Sequence, residues 1–256
     1  MSTPAPVWFI SHGAPDLVIR RQHATTFLEG LTLPDDLKGL VVLSAHWFSQ
    51  ELQINLQPGP ELMYDFYGFP DALYEIRWPG HTPAWLGERL LALFAAEAMP
   101  LQGVARPFDH GVWSPLSLID PDATTPLVQI SIPASWSPAQ LWQLGALLAP
   151  LRSEGIAILA SGAITHNLRA LEWDGGRTAP WASDFVAWLE SAMAVQDKSA
   201  LIDYRARAPH AAMAHPHDDH LRPLFIALGA AGADQPERLH QSWDLGNLYM
   251  GSYRFG

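Results

Sequence analysis

The heptapeptide "AHPHDDH", Ala214 to His220, places three histidines and two aspartates in seven positions of a chain that has eleven histidines in all. Imidazole and carboxylate are the side chains that hold a divalent metal or move protons near neutral pH. Four further histidines sit among small residues: His12 in "ISHGAP", His46 in "SAHW", His110 in "FDHGVW" and His166 in "SGAITHNLR". Any one of them alone reads equally well as a structural histidine. Together they describe a single site to which several segments contribute. His23, His81 and His240 lack such a context and are expected at the surface, and His217 and Asp218 are expected to face water.

Composition narrows the chemistry. There is no cysteine, which excludes disulfides, thiolate zinc sites and cysteine nucleophiles. A metal must therefore be held by histidine, carboxylate or water. The pattern GxSxG does not occur, so a serine nucleophile elbow has no candidate. A formal net charge of −11 leaves no basic stripe for a phosphate backbone, and nucleic acid is excluded as a partner. No apolar run approaches the roughly 20 residues of a membrane span. The start "MSTPAPVWFISHGAPD" lacks the basic and long apolar parts of a signal peptide. A soluble, cytoplasmic protein is expected; the sequence does not address its oligomeric state.

The elements that must position these side chains alternate. Short apolar runs at Val7 to Ile10, Leu40 to Leu43, Leu127 to Ile132 and Ile156 to Ala160 predict buried strands. Stretches with apolar residues at helical spacing, Trp85 to Ala98, Pro138 to Leu151 and Trp181 to Val195, predict helices between them. "LQINLQP" alternates as a more exposed neighbouring strand, and the closing "HQSWDLGNLYMGSYRFG" suits a strand or hairpin. The expectation is an α/β fold: a single three-layer α/β/α domain, residues 1–256, with a central, mostly parallel or mixed sheet.

On that map His12, His46 and His166 fall just past the C-terminal ends of predicted strands, where open α/β sheets gather their ligands. His110 falls in a loop. His215 precedes Pro216 and is expected in extended backbone. A helix through "LRPLFIALGAA" is expected to begin near Asp219 and His220, with Pro223 in its first turn. The spacing of five between His215 and His220 does not put both on one helical face.

The motifs "SHGAP", "SAHW", "YDFYGFP", "DHGVWSPL", "QISI", "SGAITHNLR" and "HPHDDHLRPL" come in an order and at separations that resemble the type III extradiol ring-cleavage dioxygenases, most of all the DOPA 4,5-dioxygenase branch. The resemblance runs from Ile10 to the terminal "YRFG". It implies a mononuclear non-haem Fe(II), with Zn(II) as a possible occupant of the same site, and cleavage of a catechol beside its hydroxyl pair. Carried onto this chain, His12, His46 and His215 become the metal ligands, with His220 the alternative third ligand or a substrate-binding residue. His166 becomes the acid/base and His110 a pocket histidine that assists substrate or oxygen. The lignin-degrading relatives use two histidines and a glutamate, the common facial arrangement for oxygen-activating iron. This chain offers only Asp218 and Asp219 near the corresponding place.

That reading makes chemical sense. Triplet O2 reacts slowly with a closed-shell catechol, and Fe(II), unlike Zn(II), can pass electron density between them. Three ligands on one side leave positions for both reactants. A neutral histidine suits the second catechol proton, its ordinary pKa of about 6.5 allowing transfer both ways. The expected partners are a single-ring catechol and O2, and the product a muconate semialdehyde. Trp47, Trp113 and the run Tyr64, Phe66, Tyr67, Phe69 stand in these motifs as ring-stacking or core residues, and Glu61 to Pro70 as a lid loop. The competing reading is a zinc-dependent hydrolase that uses the same histidines to activate water.

Overall fold

The computed structural model describes residues 3–173 and 175–256. Its strands are β1 (Val7–Ser11), β2 (Gly39–Ser49), β3 (Gln53–Asn55), β4 (Gln102–Val104), β5 (Leu127–Pro133), β6 (Ile156–Gly162), β7 (Pro236–His240), β8 (Trp243–Asp244), β9 (Leu248–Tyr249) and β10 (Ser252–Phe255). The helices are α1 (His23–Gly30), α2 (Asp71–Tyr74), α3 (Ala84–Ala96), α4 (His110–Ile119), α5 (Pro138–Leu148), α6 (Pro180–Ala194), α7 (Lys198–Ile202), α8 (Tyr204–Arg207), α9 (Ala211–Ala214) and α10 (Arg222–Ala231).

Eight strands form one mixed sheet in the order β4-β3-β5-β2-β6-β1-β10-β7. Its centre, β5-β2-β6-β1, is parallel. β10, from the aromatic C-terminal segment expected to form a strand, joins β1 antiparallel, and β7 beyond it is the edge. β8 and β9 make a separate two-stranded ribbon. The period-two pleat sorts the central strands into two cores. Val7, Phe9, Val41, Leu43, Ile156 and Ile158 face α3, α5, α6 and α10. Trp8, Ile10, Leu40, Val42, Ala157 and Leu159 face α1 and α4. Apolar on both faces, these strands read as continuous hydrophobic runs, and each fully buried large side chain contributes about 1.5–3 kcal/mol.

α5 begins with a capping box in which Ser137 and Gln140 satisfy each other's backbone N–H groups. It crosses α10 at a glycine pair: a Cβ on Gly145 would strike the Ile226 carbonyl, and one on Gly229 the Trp142 carbonyl. The two backbones touch there, which seats α10, and the residues that enter it, firmly on the sheet.

Three local differences from the sequence expectation concern the site. β2 runs on to Ser49, so His46 lies within a strand. Its register with β5 breaks between Leu43 and Phe48, an irregularity of the kind that re-aims a side chain. His110 is the first residue of α4 rather than a loop residue. β3 is buried at Ile54 and Asn55 instead of exposed, because Ile54 joins the core and the Asn55 side chain bonds the Arg106 backbone.

Candidate active site

Three imidazoles meet at the C-terminal edge of the parallel strands. His12 follows β1, His46 lies in the irregular part of β2, and His220 sits in the turn before α10. The Nε2 atoms of His12 and His46 are 3.1 Å apart, and those of His220 and His46 3.2 Å. All three offer ligand atoms within 4.8 Å of one another. Metal bonds of about 2.0–2.1 Å meeting at roughly 90–110° separate their donor atoms by about 2.9–3.4 Å. The spacing fits one shared ion.

The outer nitrogen of His12 shows why its inner one is free. Pro115 has no N–H, so the carbonyl of Gly111, four residues earlier in α4, lacks its helical donor. Ser161 Oγ fills the gap, donating to Gly111 O at 2.5 Å. With its proton committed, Ser161 can only accept from His12 Nδ1, 2.9 Å away. His12 thus carries its proton outward and presents Nε2 as a lone pair. On His220 the carboxylate of Asp219 lies 3.1 Å from Nδ1, but off the N–H direction, so Nδ1 lacks a true hydrogen bond. That contact is electrostatic. The same oxygen accepts from the His220 backbone N–H at 2.8 Å.

Burial keeps these rings neutral. It holds His12 and His220 well below the ordinary histidine range, reinforced by the neighbouring histidines. His46 falls to about 4 for the same reasons, although Asp109 and Asp65 pull the other way. Neutral rings that turn Nε2 toward one another at this distance repel wherever two lone pairs face, and a cation between them removes the repulsion. This donor set suits a divalent metal.

A buried network braces His46 from below. Asp109 takes hydrogen bonds from Ser44 (2.6 Å), Arg106 (2.8 Å) and Gln129 (2.6 Å). Arg106 in turn donates to the His46 carbonyl at 3.1 Å and stacks over Trp47. Gly111 is required where α4 meets β2: a Cβ there would strike Ser44 Oγ and approach His46 Cδ2 to 3.1 Å. The glycine of "DHG" makes room for this contact.

His110 lies beside the trio, its ring centroid 3.9 Å from that of His46 and 5.4 Å from that of His12. Its Nδ1 donates to Asp65 Oδ1 at 2.8 Å, and the other oxygen of Asp65 is 3.3 Å from His46 Nδ1. Burial raises the Asp65 carboxyl, but the hydrogen bond from His110 and the two histidines outweigh it and bring it to about 2. Phe66 meets the His110 ring edge-on at 5.6 Å. Of the other aromatics in this segment, Trp113 is fully buried and bonded to the Met63 carbonyl, and Tyr67 is 92% exposed. Trp47 and Trp113 are core residues; Phe66 is the ring that touches the site.

His166, in the loop after β6, stacks on His220 with ring centroids 3.4 Å apart and planes 9° from parallel. Its side chain is 19% exposed, and its Nδ1 is 4.0 Å from Asp219. Burial lowers its pKa, partly offset by Asp219. The loop is pinned by His166 N–H to the Ala214 carbonyl and by Asn167 to the Met213 carbonyl.

The structure places His215 elsewhere than expected. It is fully buried, its Nε2 donates to the Ile164 carbonyl at 2.7 Å, and its ring meets Phe185 edge-on. The Nε2 that a metal would need is occupied, and the ring faces the core between β6 and α6. The turn at Pro216 reverses the chain, so that His220 arrives at the mouth in its stead. A cavity of about 460 Å3 lined by Trp8, Leu31 and Leu239 lies at the opposite, N-terminal ends of the strands, away from all these groups.

The model of the catalytic LigB subunit of aromatic ring-opening dioxygenase matches residues 31–256. The chain belongs to this LigB family. It is 34% identical to the 4,5-DOPA dioxygenase extradiol of Beta vulgaris, over 97% of this chain and 95% of that protein. It is also 34% identical to the one from Escherichia coli K12, over 100% and 96%. A dioxygenase of Hapsidospora irregularis is 31% identical over 94% of this chain and 83% of its own length. Among solved structures, an uncharacterised protein of Escherichia coli K12 superposes with a TM-score of 0.82 at 30% identity, covering 98% of this chain and 100% of that one. This LigB-family protein is an extradiol, ring-opening dioxygenase, an enzyme of small aromatic molecules and O2. No helix among its described residues is long and apolar enough to cross a membrane.

Sequence reasoning about this LigB-family enzyme did not identify Asp65, Ser161, Pro115 or the Asp109–Arg106 pair. Asp65 was hidden in an aromatic run that drew attention to stacking. Pro115 stands inside "DHGVWSPL" and Ser161 inside "SGAITHNLR", yet their roles arise from a contact between α4 and β6 that no local spacing announces.

Proposed function

We propose that this enzyme binds one Fe(II) through Nε2 of His12, His46 and His220 and inserts both atoms of O2 into a single-ring catechol of the DOPA type, opening it to a muconate semialdehyde. The observation that carries this reading is the convergence of the Nε2 atoms of three neutral imidazoles at 3.1 and 3.2 Å in a chain of the LigB family. The DOPA-like substrate rests on the names of the relatives, two of which share 34% of their residues with this chain. Residues 1–256 act as one catalytic domain in this reading. Bound iron supplies the electron path between catechol and O2 that zinc lacks, which is why iron is preferred to zinc as the working metal.

The protein's own groups do the rest. Three protein ligands would leave further positions on the ion for the substrate and O2, with His166 and His110 flanking the ligand rings. His166, neutral near pH 7 because burial lowers its pKa, takes the proton of the second catechol hydroxyl at Nε2 and returns it later in the reaction. Asp219, 4.0 Å from its Nδ1, stabilises the ring while it is charged. His110, whose Nδ1–H donates to Asp65, offers Nε2 to the bound substrate or oxygen. Asp219, with a side chain 40% exposed, is the member of the site most open to solvent; His166, His46 and Asp65 are each 19% exposed.

The test is anaerobic reconstitution with Fe(II), followed by oxygen uptake and visible absorbance against a catechol panel that includes DOPA. One O2 per substrate, a yellow product and inactivity of the zinc-loaded protein are expected. A sample with stoichiometric iron that takes up no oxygen with any catechol would refute the proposal, and hydrolysis by the zinc form would then be tested next.

A further inference from the structure

The carboxylate nearest His110 in sequence is Asp109, and it is the wrong one to orient it. Its oxygens are already engaged by Ser44, Arg106 and Gln129. The acceptor that His110 uses comes from 45 residues away, in the loop between β3 and α2. Asp65 has an exposed backbone, but its side chain is turned inward and only 19% exposed. It reaches two histidine rings at once.

We propose that Asp65 is a positioning residue that fixes His46 and His110 as one unit, each of its oxygens facing the outer nitrogen of one ring. Oδ1 accepts from His110 Nδ1 at 2.8 Å and from the His110 backbone N–H at 3.1 Å, while Oδ2 stands 3.3 Å from His46 Nδ1. The two rings are 3.9 Å apart, so a carboxylate that turns one turns the other. A hydrogen bond on one imidazole nitrogen decides the tautomer and so which nitrogen is free inside. The bond from His110 Nδ1 leaves Nε2 of the pocket histidine free, and the charge of Oδ2 beside His46 Nδ1 favours a proton on that outer nitrogen, so one carboxylate biases Nε2 of both rings. The backbone contact ties both to the first turn of α4, whose free N–H groups favour a carboxylate there. Phe66, next in the chain, closes against the His110 ring, so the loop that delivers the carboxylate also walls the pocket.

This inference rests on His46 as a ligand and His110 as a pocket group, and its test avoids turnover so that it fails separately from the proposed reaction. Zinc affinity is measured by competition with a chromophoric chelator in wild type, Asp65→Ala and Asp65→Asn. The histidine tautomers are read from 15N spectra of the zinc-loaded proteins, and thermal melting reports the fold. Asp65→Ala is expected to weaken zinc about 10- to 100-fold and to release His110 from its Nδ1–H form toward the Nε2–H form. If the alanine variant does not fold, Asp65→Asn decides. Its NH2 group must face one of the two ring nitrogens, so at least one readout moves. Zinc affinity within about twofold of wild type together with an unchanged His110 tautomer overturns the proposal, and a lower melting temperature as the sole change would mark Asp65 as a cap of α4. Wild-type protein that binds zinc but cleaves no catechol with iron counts against the proposed reaction alone.

Discussion

Replacing His220 and replacing His215 should have opposite signatures, although they lie five residues apart in one motif. His220 contributes an Nε2 only 3.2 Å from that of His46. Structural zinc sites bind with about 10–16 kcal/mol over four ligands, or roughly 3 kcal/mol per ligand, so His220→Ala should weaken zinc about 10²-fold. His215 has no ligand atom facing the trio; its Nε2 is spent on Ile164. His215→Phe keeps the ring volume against Phe185 but leaves that buried carbonyl without its donor, a loss of about 1–3 kcal/mol. For a chain of this size that lowers the melting temperature by about 2–4 °C per kcal/mol, with zinc affinity near wild type. His215→Gln, whose amide can still donate, should recover most of the stability. Chelator competition and thermal melting on the same samples separate the cases. The reasoning fails if His215→Phe loses zinc as His220→Ala does, or if His220→Ala retains it.

Several other perturbations have defined outcomes. His166→Gln should retain metal while kcat on the best catechol falls about 10²–10⁴-fold, measured by oxygen uptake. Arg106→Met breaks a buried ion pair whose Asp109 carboxylate is fully buried, and should cost about 3–5 kcal/mol, seen as an early chemical-denaturation midpoint. Acid should destabilise the metal-free protein through His215, which burial holds at about 3 against the opposing Ile164 bond. Because the folded-state pKa lies below the unfolded value of about 6.5, the unfolded chain binds the proton first. Stability is full above pH 6.5 and falls until the folded form also protonates near 3, by about 5 kcal/mol at most. His215→Phe should flatten that part of the pH–stability curve, and a curve unchanged by the substitution counts against the assignment. Gly229→Ala should lower stability by about 1–3 kcal/mol, since its methyl meets the Trp142 carbonyl on α5.

The parallel core was legible because its strands are buried on both faces: Val7 to Ile10 and Leu40 to Leu43 admit no polar residue and no helical period. Strand termini then placed His12 and His166 correctly at one edge. His46 was displaced by a few residues because β2 continues past its apolar run, and nothing in "SAHW" signals a break in register with the neighbouring strand. His215 and His220 were not separable by pattern. Which one reaches the mouth depends on the reversal at Pro216 and on Gly162, whose missing Cβ lets the His220 carbonyl pack against the end of β6. Such choices are made by backbone-to-backbone contact between elements distant in sequence. Residue type records that contact only as a glycine.

The absence of a carboxylate among the three inner donors looks at first like a poor fit to oxygen-activating iron, which commonly has two histidines and one carboxylate. The structure moves the negative charge outward by one residue. Asp65 stands 3.3 Å from the outer nitrogen of His46 and Asp219 3.1 Å from that of His220, two carboxylates around a site of three neutral rings. A dication held there is balanced overall, yet each carboxylate acts through an imidazole. Ring basicity then depends on these two charges. Neutralising both, Asp65→Asn with Asp219→Asn, should weaken metal binding by more than removal of one, and the two effects should multiply, because the carboxylates serve different rings and share no hydrogen. A double variant no worse than the single ones would show that the inner three nitrogens set the affinity by themselves.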